Sequence, residues 1–199
     1  MKLGDYKLIF IAVAVIGILL IASPAIAGAI QPPAGERFSE LYLLGPNQMA
    51  ENYPSNIAVG QNYSVYVNVG NHLGSSAYYV LYVKLGNETD PLPNATSATP
   101  SSLAPLYEYR FSIADSITWA SPVNFTVTSA TISNSNSQIN TLKINNTPLN
   151  VEKSSTWNSN STTYTYRLFF ELWLYNEQTG TVAFNDRYVS LQLNLTQTP

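Results

Sequence analysis

The chain has 199 residues, of which only 11% are charged, a net charge of −3 and no cysteine. Soluble domains usually carry about 25% charged residues, so Asn, Ser, Thr and Tyr supply most of the polarity here. The missing cysteines exclude disulfides, thiolate chemistry and Cys-based metal sites, and the acidic balance leaves no basic footprint for nucleic acid.

The first element is Leu8 to Ile30, 23 residues without a charge. About 20 apolar residues suffice to span a bilayer as a helix. Lys2 and Lys7 precede the run, opposed only by Asp5, and Glu36 and Arg37 are the first charges after it. That bias predicts a cytoplasmic stretch over 1–7, a single transmembrane helix over 8–30 and an extracellular C-terminal domain. Ala25-Ile26-Ala27 also fits a secretory cleavage site, but the run exceeds the about 7–15 residues of a signal h-region, which favours an anchor. In either case the remainder is exported. Residues 31–37 then form a tether that reaches at most about 25 Å, so the domain over 38–199 sits close to the membrane.

From Phe38 onward the period is two. In Asn62–Gly70, Tyr63, Val65, Val67 and Val69 alternate with polar neighbours, and in Ala77–Leu85, Tyr79, Leu81, Val83 and Leu85 share one face. Both predict strands with one face on a core, joined by a hairpin loop at Gly70–Ser76 that holds His72. Asn87–Pro105 carries four prolines and reads as a long exposed loop. Strands follow at Leu106–Ile113, Val123–Ile132 and Thr141–Ile144, and Asn145–Asn160 reads as mostly loop. A C-terminal hairpin pairs Tyr164–Tyr175 with Arg187–Leu195. Its first strand is apolar on both faces, which makes it central, or covered by a partner. The predicted fold is an all-β, immunoglobulin-like sandwich.

Three stretches carry a resemblance: Phe38-Ser-Glu-Leu-Tyr-Leu-Leu-Gly-Pro-Asn47 with Glu51-Asn-Tyr-Pro54 and Val59-Gly60; Tyr166–Tyr175; and Leu191–Thr196. Together they resemble the extracellular domain of the archaeal DUF1616 family of uncharacterised membrane proteins, over Phe38 to Thr196. The resemblance implies an archaeal cell-surface β-domain and supplies no activity. Many members have several membrane helices before this domain, whereas one is expected here.

No nucleophile elbow, phosphate loop, dinucleotide fingerprint or metal-spaced cluster occurs, so a non-enzymatic chain without cofactor or metal is expected. His72 lacks a convincing partner in sequence, and Glu88 and Asp90 lack the rest of a Ca²⁺ loop. Seven N-x-[ST] sequons, at Asn62, Asn87, Asn94, Asn124, Asn145, Asn160 and Asn194, are candidate glycan acceptors on an exported chain. Arg167, Phe169, Glu171 and Trp173, on the second face of the doubly apolar strand, are candidate partner contacts. Tyr66, Tyr78 and Tyr82 are candidate ligand contacts, since aromatic surfaces stack on sugars and populate interfaces.

The leading expectation is a membrane-anchored surface glycoprotein, structural or accessory within a larger envelope or membrane assembly. A filament subunit joined by strand donation from the N-terminal tail, through self-assembly, and a carbohydrate- or ligand-binding module are the alternatives.

Overall fold

The computed structural model describes residues 6–7, 11–18, 20, 23, 36–159 and 162–196. Residues 11–18 are helical. No helix among the described residues is long and apolar enough to cross a membrane. Most of the remaining expected span, and the tether over 31–35, lie outside them.

Residues from Phe38 onward form one unit of ten strands: β1 Phe38–Leu44, β2 Asn56–Ile57, β3 Tyr63–His72, β4 Ala77–Asn87, β5 Tyr107–Ile113, β6 Ile117–Ile132, β7 Asn136–Ile144, β8 Thr147–Asn158, β9 Thr163–Asn176 and β10 Thr181–Leu195. One sheet, A, runs β1-β3-β6-β7-β8, and the other, B, runs β2-β10-β9-β4-β5. The last residues of β8 pair with the start of β9, at Trp157↔Tyr164, and join the two. All pairings are antiparallel except the short β2–β10 contact. The architecture is an immunoglobulin-like β-sandwich.

Alternation decides which residues make the core. Val65, Val67 and Val69 of β3 and Val123, Phe125 and Val127 of β6 face inward from sheet A. They meet Leu81 and Val83 of β4 and Leu168, Phe170 and Leu172 of β9 from sheet B, all fully or almost fully buried. Each such side chain contributes about 1.5–3 kcal/mol by leaving water. At the seam between β5 and β6, Phe111 stacks on Trp119 with centroids 3.8 Å apart, and Tyr109 meets the same indole edge-on at 5.6 Å.

Several expectations are corrected. β3 and β4 do not form a hairpin: β3 pairs with β1 and β6, β4 with β5 and β9, so residues 73–76 carry the chain from one sheet to the other. His72 ends β3 instead of sitting in a loop; it stacks on Phe38 at 4.7 Å, with Nε2 3.6 Å from Glu40. β6, β7 and β10 start at Ile117, Asn136 and Thr181, earlier than their apolar alternation indicates. Most of 145–160 is strand β8, reached through Asn145 and Asn146, which take φ of 46° and 69°. Paired left-handed residues are the geometry of a two-residue type I′ hairpin.

Asn71 holds the sheet-to-sheet crossing. Its Nδ2 donates to the carbonyls of Ser75 (2.8 Å) and Ile113 (2.9 Å), and its Oδ1 accepts from Leu73 N and Tyr79 Oη. The residue is fully buried. Asn71→Ala strands several of these groups at once, and each buried orphan costs about 1–3 kcal/mol. The expected loss is about 3 kcal/mol, read as a lower urea midpoint at unchanged m-value.

Burial pushes the Tyr109 phenol from 10.0 up to about 12, against a smaller opposing effect of its hydrogen bond with Asn145. A phenol raised in the folded state keeps its full contribution below the unfolded value and loses it as pH climbs through the folded one. Stability should therefore fall between about pH 10 and 12. The Tyr109 share is about 2 kcal/mol after allowance for its part exposure. Alkaline denaturation of Tyr109→Phe should be correspondingly flatter.

Candidate interaction surface

Antiparallel pairing of β4 and β9 sets Tyr82 opposite Glu171 and Lys84 opposite Phe169 on the outer face of sheet B. The Lys84 ammonium lies 2.8 Å from Glu171 Oε2, with both side chains almost wholly out of water, at 4% and 0% exposed. Two buried charges stay ionised only where further hydrogen bonds complete them. The segment between β4 and β5 provides these. Ser101 N donates to Glu171 Oε1 at 2.8 Å, and Lys84 Nζ donates to Ser101 O at 2.9 Å. Trp173 Nε1 donates to Glu171 Oε2 at 3.2 Å.

That segment is thus a strap across half of the sheet, not the freely exposed loop expected from its prolines. Pro93 and Ser101 are buried. Its start is an Asx turn: Asn87 Oδ1 accepts from Thr89 N and Asp90 N, and Asp90 Oδ2 accepts from Asn87 N. Asp90 also pairs with Lys153, and Leu106 N closes the far end on Val83 O at 2.8 Å. Gly86 lies beneath the strap, where a Cβ would come within 3.3 Å of Asp90 and Leu103.

Two of the four candidate partner contacts are corrected by this arrangement. Phe169 and Glu171 are fully buried under the chain's own strap, so they present nothing to a partner. Glu171 pairs with Lys84, which reaches it from the adjacent strand. Arg167 and Trp173 are half-buried.

The other half of the face is open and aromatic. Tyr82 meets Trp173 edge-on at 5.4 Å, Trp173 meets Phe184 at 6.0 Å, and Tyr78 meets Tyr175 edge-on at 6.1 Å. Tyr78 and Tyr175 are 36% and 39% exposed. Arg110, opposite Val80 on the edge strand β5, is paired with Glu108 at 2.8 Å. Its guanidinium is held charged well above the ordinary range by Glu108 first and by Tyr78 second.

The candidate ligand contacts divide. Tyr78 and Tyr82 belong to this platform, whereas Tyr66 sits in sheet A between Leu44 and Pro122, because β3 and β4 are not neighbours. Period two already places Glu171, Trp173 and Tyr175 on one face of their strand. What sequence reasoning missed was Lys84 and Phe184, which only strand register brings there, and Ser101, which the strap brings.

The sequons lie elsewhere. Asn62, just before β3, and Asn124, on the neighbouring strand β6 of sheet A, are both exposed, with Thr126 Oγ1 donating to Asn62 Oδ1. Asn145 is held by its side chain, accepting from Asn124 N and donating to Tyr109 Oη. Asn87 and Asn94 belong to the strapped half, Asn194 lies beside Asn56 near the end of β10, and Asn160 falls outside the described residues. Glu88 accepts from Asn158 Nδ2, and with Asp90 on Lys153 the two acids are engaged in protein contacts. Among the described residues no group of three His, Asp or Glu side chains could hold a metal ion.

A family model described as a domain of unknown function, DUF1616, matches residues 32–142. The chain belongs to the DUF1616 family. The match covers the Phe38–Asn47 block and ends in β7, so the β9–β10 stretches of the resemblance lie beyond it. Comparison with curated proteins returns no match. Among solved structures, this DUF1616 chain is similar to the CARDB domain of a Pyrococcus furiosus protein crystallised with di-metal ions, at 12% identity and a TM-score of 0.40, over 80% of this chain and 90% of that one. It is also similar to a β-glucosidase from Listeria innocua in complex with glucose, at 11% identity and a TM-score of 0.42, over 82% of this chain but 17% of the glucosidase. A chain of the human seminal plasma complex of zinc 2-glycoprotein and prolactin inducible protein aligns at 8% identity and a TM-score of 0.39, over 83% of this chain and all of that one.

Removing one member of the buried pair leaves the other uncompensated, at a cost of about 3–5 kcal/mol. Lys84→Met and Glu171→Leu should each lower the urea midpoint by that order. The double variant should lose clearly less than the sum of the two, the signature of groups that act as a unit.

Proposed function

We propose that this DUF1616 protein is a non-enzymatic recognition module, exported and held at the outer face of the cell membrane by the apolar run Leu8–Ile30. Its setting is an archaeal envelope, as the resemblance implies, and its role there is accessory: it binds, and it bears glycans. The observation that carries the reading is the open aromatic half of sheet B, with contacts that link Tyr82, Trp173 and Phe184 and, beside them, Tyr78 and Tyr175. Tyr and Trp, with an apolar ring and a polar tip, are enriched at recognition surfaces.

The position of the sequons supports the same reading. Asn62 and Asn124 face outward from sheet A, so glycans there would screen that side and leave the aromatic half of sheet B uncovered. The strand-donation reading draws less support. In β1, the edge strand of sheet A, the Leu43 carbonyl already accepts from Tyr53 Oη and the Ser39 carbonyl from Arg187 Nε. Such side-chain contacts blunt an edge against further pairing.

Protease added to intact cells tests the placement. The domain over 38–199 should be digested from outside while residues N-terminal to the apolar run stay protected, and peptides holding Asn94 or Asn124 should carry glycan mass. A domain that resists protease until the cells are lysed would overturn the reading.

A further inference from the structure

Beyond this reading, and resting on it for the choice of surface, we infer that the aromatic half of sheet B binds a short neutral saccharide. Size argues first. The platform crosses three strands, about 10 Å at about 4.8 Å per strand, and runs about 13 Å from Tyr78 to Tyr82. That is roughly 130 Å², against about 800 Å² per partner in a stable protein–protein interface. The patch is several-fold too small to hold a folded partner alone, and it suits a ligand of a few rings.

Chemistry argues second. The charged groups beside the rings are already paired: Glu171 with Lys84 and Arg110 with Glu108. An anionic ligand would therefore meet no free cation among them, while the Glu177 carboxylate in the adjoining cleft accepts hydrogen bonds of the kind sugar hydroxyls donate. Where the β9–β10 hairpin meets the platform, an open cleft of about 440 Å³ is lined by Tyr175 and Phe184 together with Asn176, Glu177, Gln178 and Asn185. Ring faces carry negative potential and attract the weakly positive C–H faces of a sugar. Amides both donate and accept, as hydroxyls require. The Asn176 side-chain oxygen is committed to Gln178 N and Thr179 N, which fixes the turn and leaves its Nδ2 as the group turned to ligand chemistry. Pockets of this volume lie in the range that small ligands occupy.

The order of the site comes from the strap. Trp173 is oriented by its Nε1 bond to Glu171, which the strap itself holds in place. The platform is therefore set before a ligand arrives, and little side-chain entropy remains to be lost on binding.

The full-length protein, in a detergent without a sugar headgroup, would be titrated with maltotetraose, cellotetraose, mannotetraose and, as a charged control, an oligogalacturonate. Calorimetry and tryptophan fluorescence would be read together. At least one neutral tetrasaccharide should bind and shift the emission. Tyr78→Ala and Tyr175→Ala should each weaken binding about tenfold, near 1.4 kcal/mol, with unchanged urea midpoints, whereas Tyr66→Ala on the other sheet should bind normally. No binding by any neutral probe, equal binding by the platform variants, or preference for the charged probe would each overturn the inference. So would a protein partner held in fixed ratio through Tyr78 and Tyr175 with no sugar bound. These outcomes are separate from the cell-surface test: an externally placed domain that ignores all the sugars removes only the ligand, while a domain enclosed in the cell removes the setting and leaves a measured affinity intact.

Discussion

A lysine and a glutamate can stay charged out of water only if something covers them and completes their hydrogen bonds. In this chain that demand organises one whole side of the sandwich. Lys84 and Glu171 come from strands β4 and β9, far apart in sequence, and neither could be buried without residues 88–106. The strap contributes one amide and one carbonyl, both from Ser101, and so joins the two strands through a third segment. An apolar pair would pack more cheaply but would not select this one position for the strap. The same carboxylate then orients Trp173, so that the covered and uncovered halves of the face share one anchor.

The fold was legible where apolar residues alternate strongly. The inward sets of β3, β4, β6, β9 and β10 follow period two, and every one of those strands exists. Legibility failed where strands are polar. β8 puts Leu149, Val151, Lys153 and Ser155 on one side, too mixed a set to register as alternation. Its one clear signal is Asn145-Asn146, a dipeptide suited to two left-handed residues. The β3–β4 connection failed for another reason. A Gly/Ser-rich link between two strands looks the same whether they pair or split between sheets; the difference lies in Asn71, whose side chain holds the crossing open.

The candidate surface was legible in part. The outward parity of Tyr78, Tyr82 and Trp173 follows from strand period alone, and Tyr82 and Trp173 do meet. Tyr66 was grouped with them because β3 and β4 adjoin in sequence, which the sheet order undoes. Phe169 and Glu171 looked available because nothing in the sequence of a proline-rich segment says which sheet it will lie upon. Its prolines restrict the backbone and remove donors, yet here they shape a segment that packs. The DUF1616 model meanwhile ends in β7, before the strands that supply Glu171, Trp173 and Tyr175. Features built from those residues lie outside the matched stretch.

The order of strands in sheet B has a kinetic side. Its centre is β9, and β4 has no partner except β5 until β9 arrives. A chain emerging from its N-terminus can close β6 on β7 through a tight turn and β3 on β6 across the β4–β5 segment, all before β9 appears. The second layer has to wait for the final hairpin, and pairings at such sequence separation form slowly because loop-closure entropy precedes their reward. Until then the inward faces of β3, β4 and β6 have no opposing layer, and half-made sheets of this kind are prone to stick to one another. On the outer side of sheet A, Asn124 and Thr128 are exposed and polar, so the sticky surface of a half-made sandwich is its inward face.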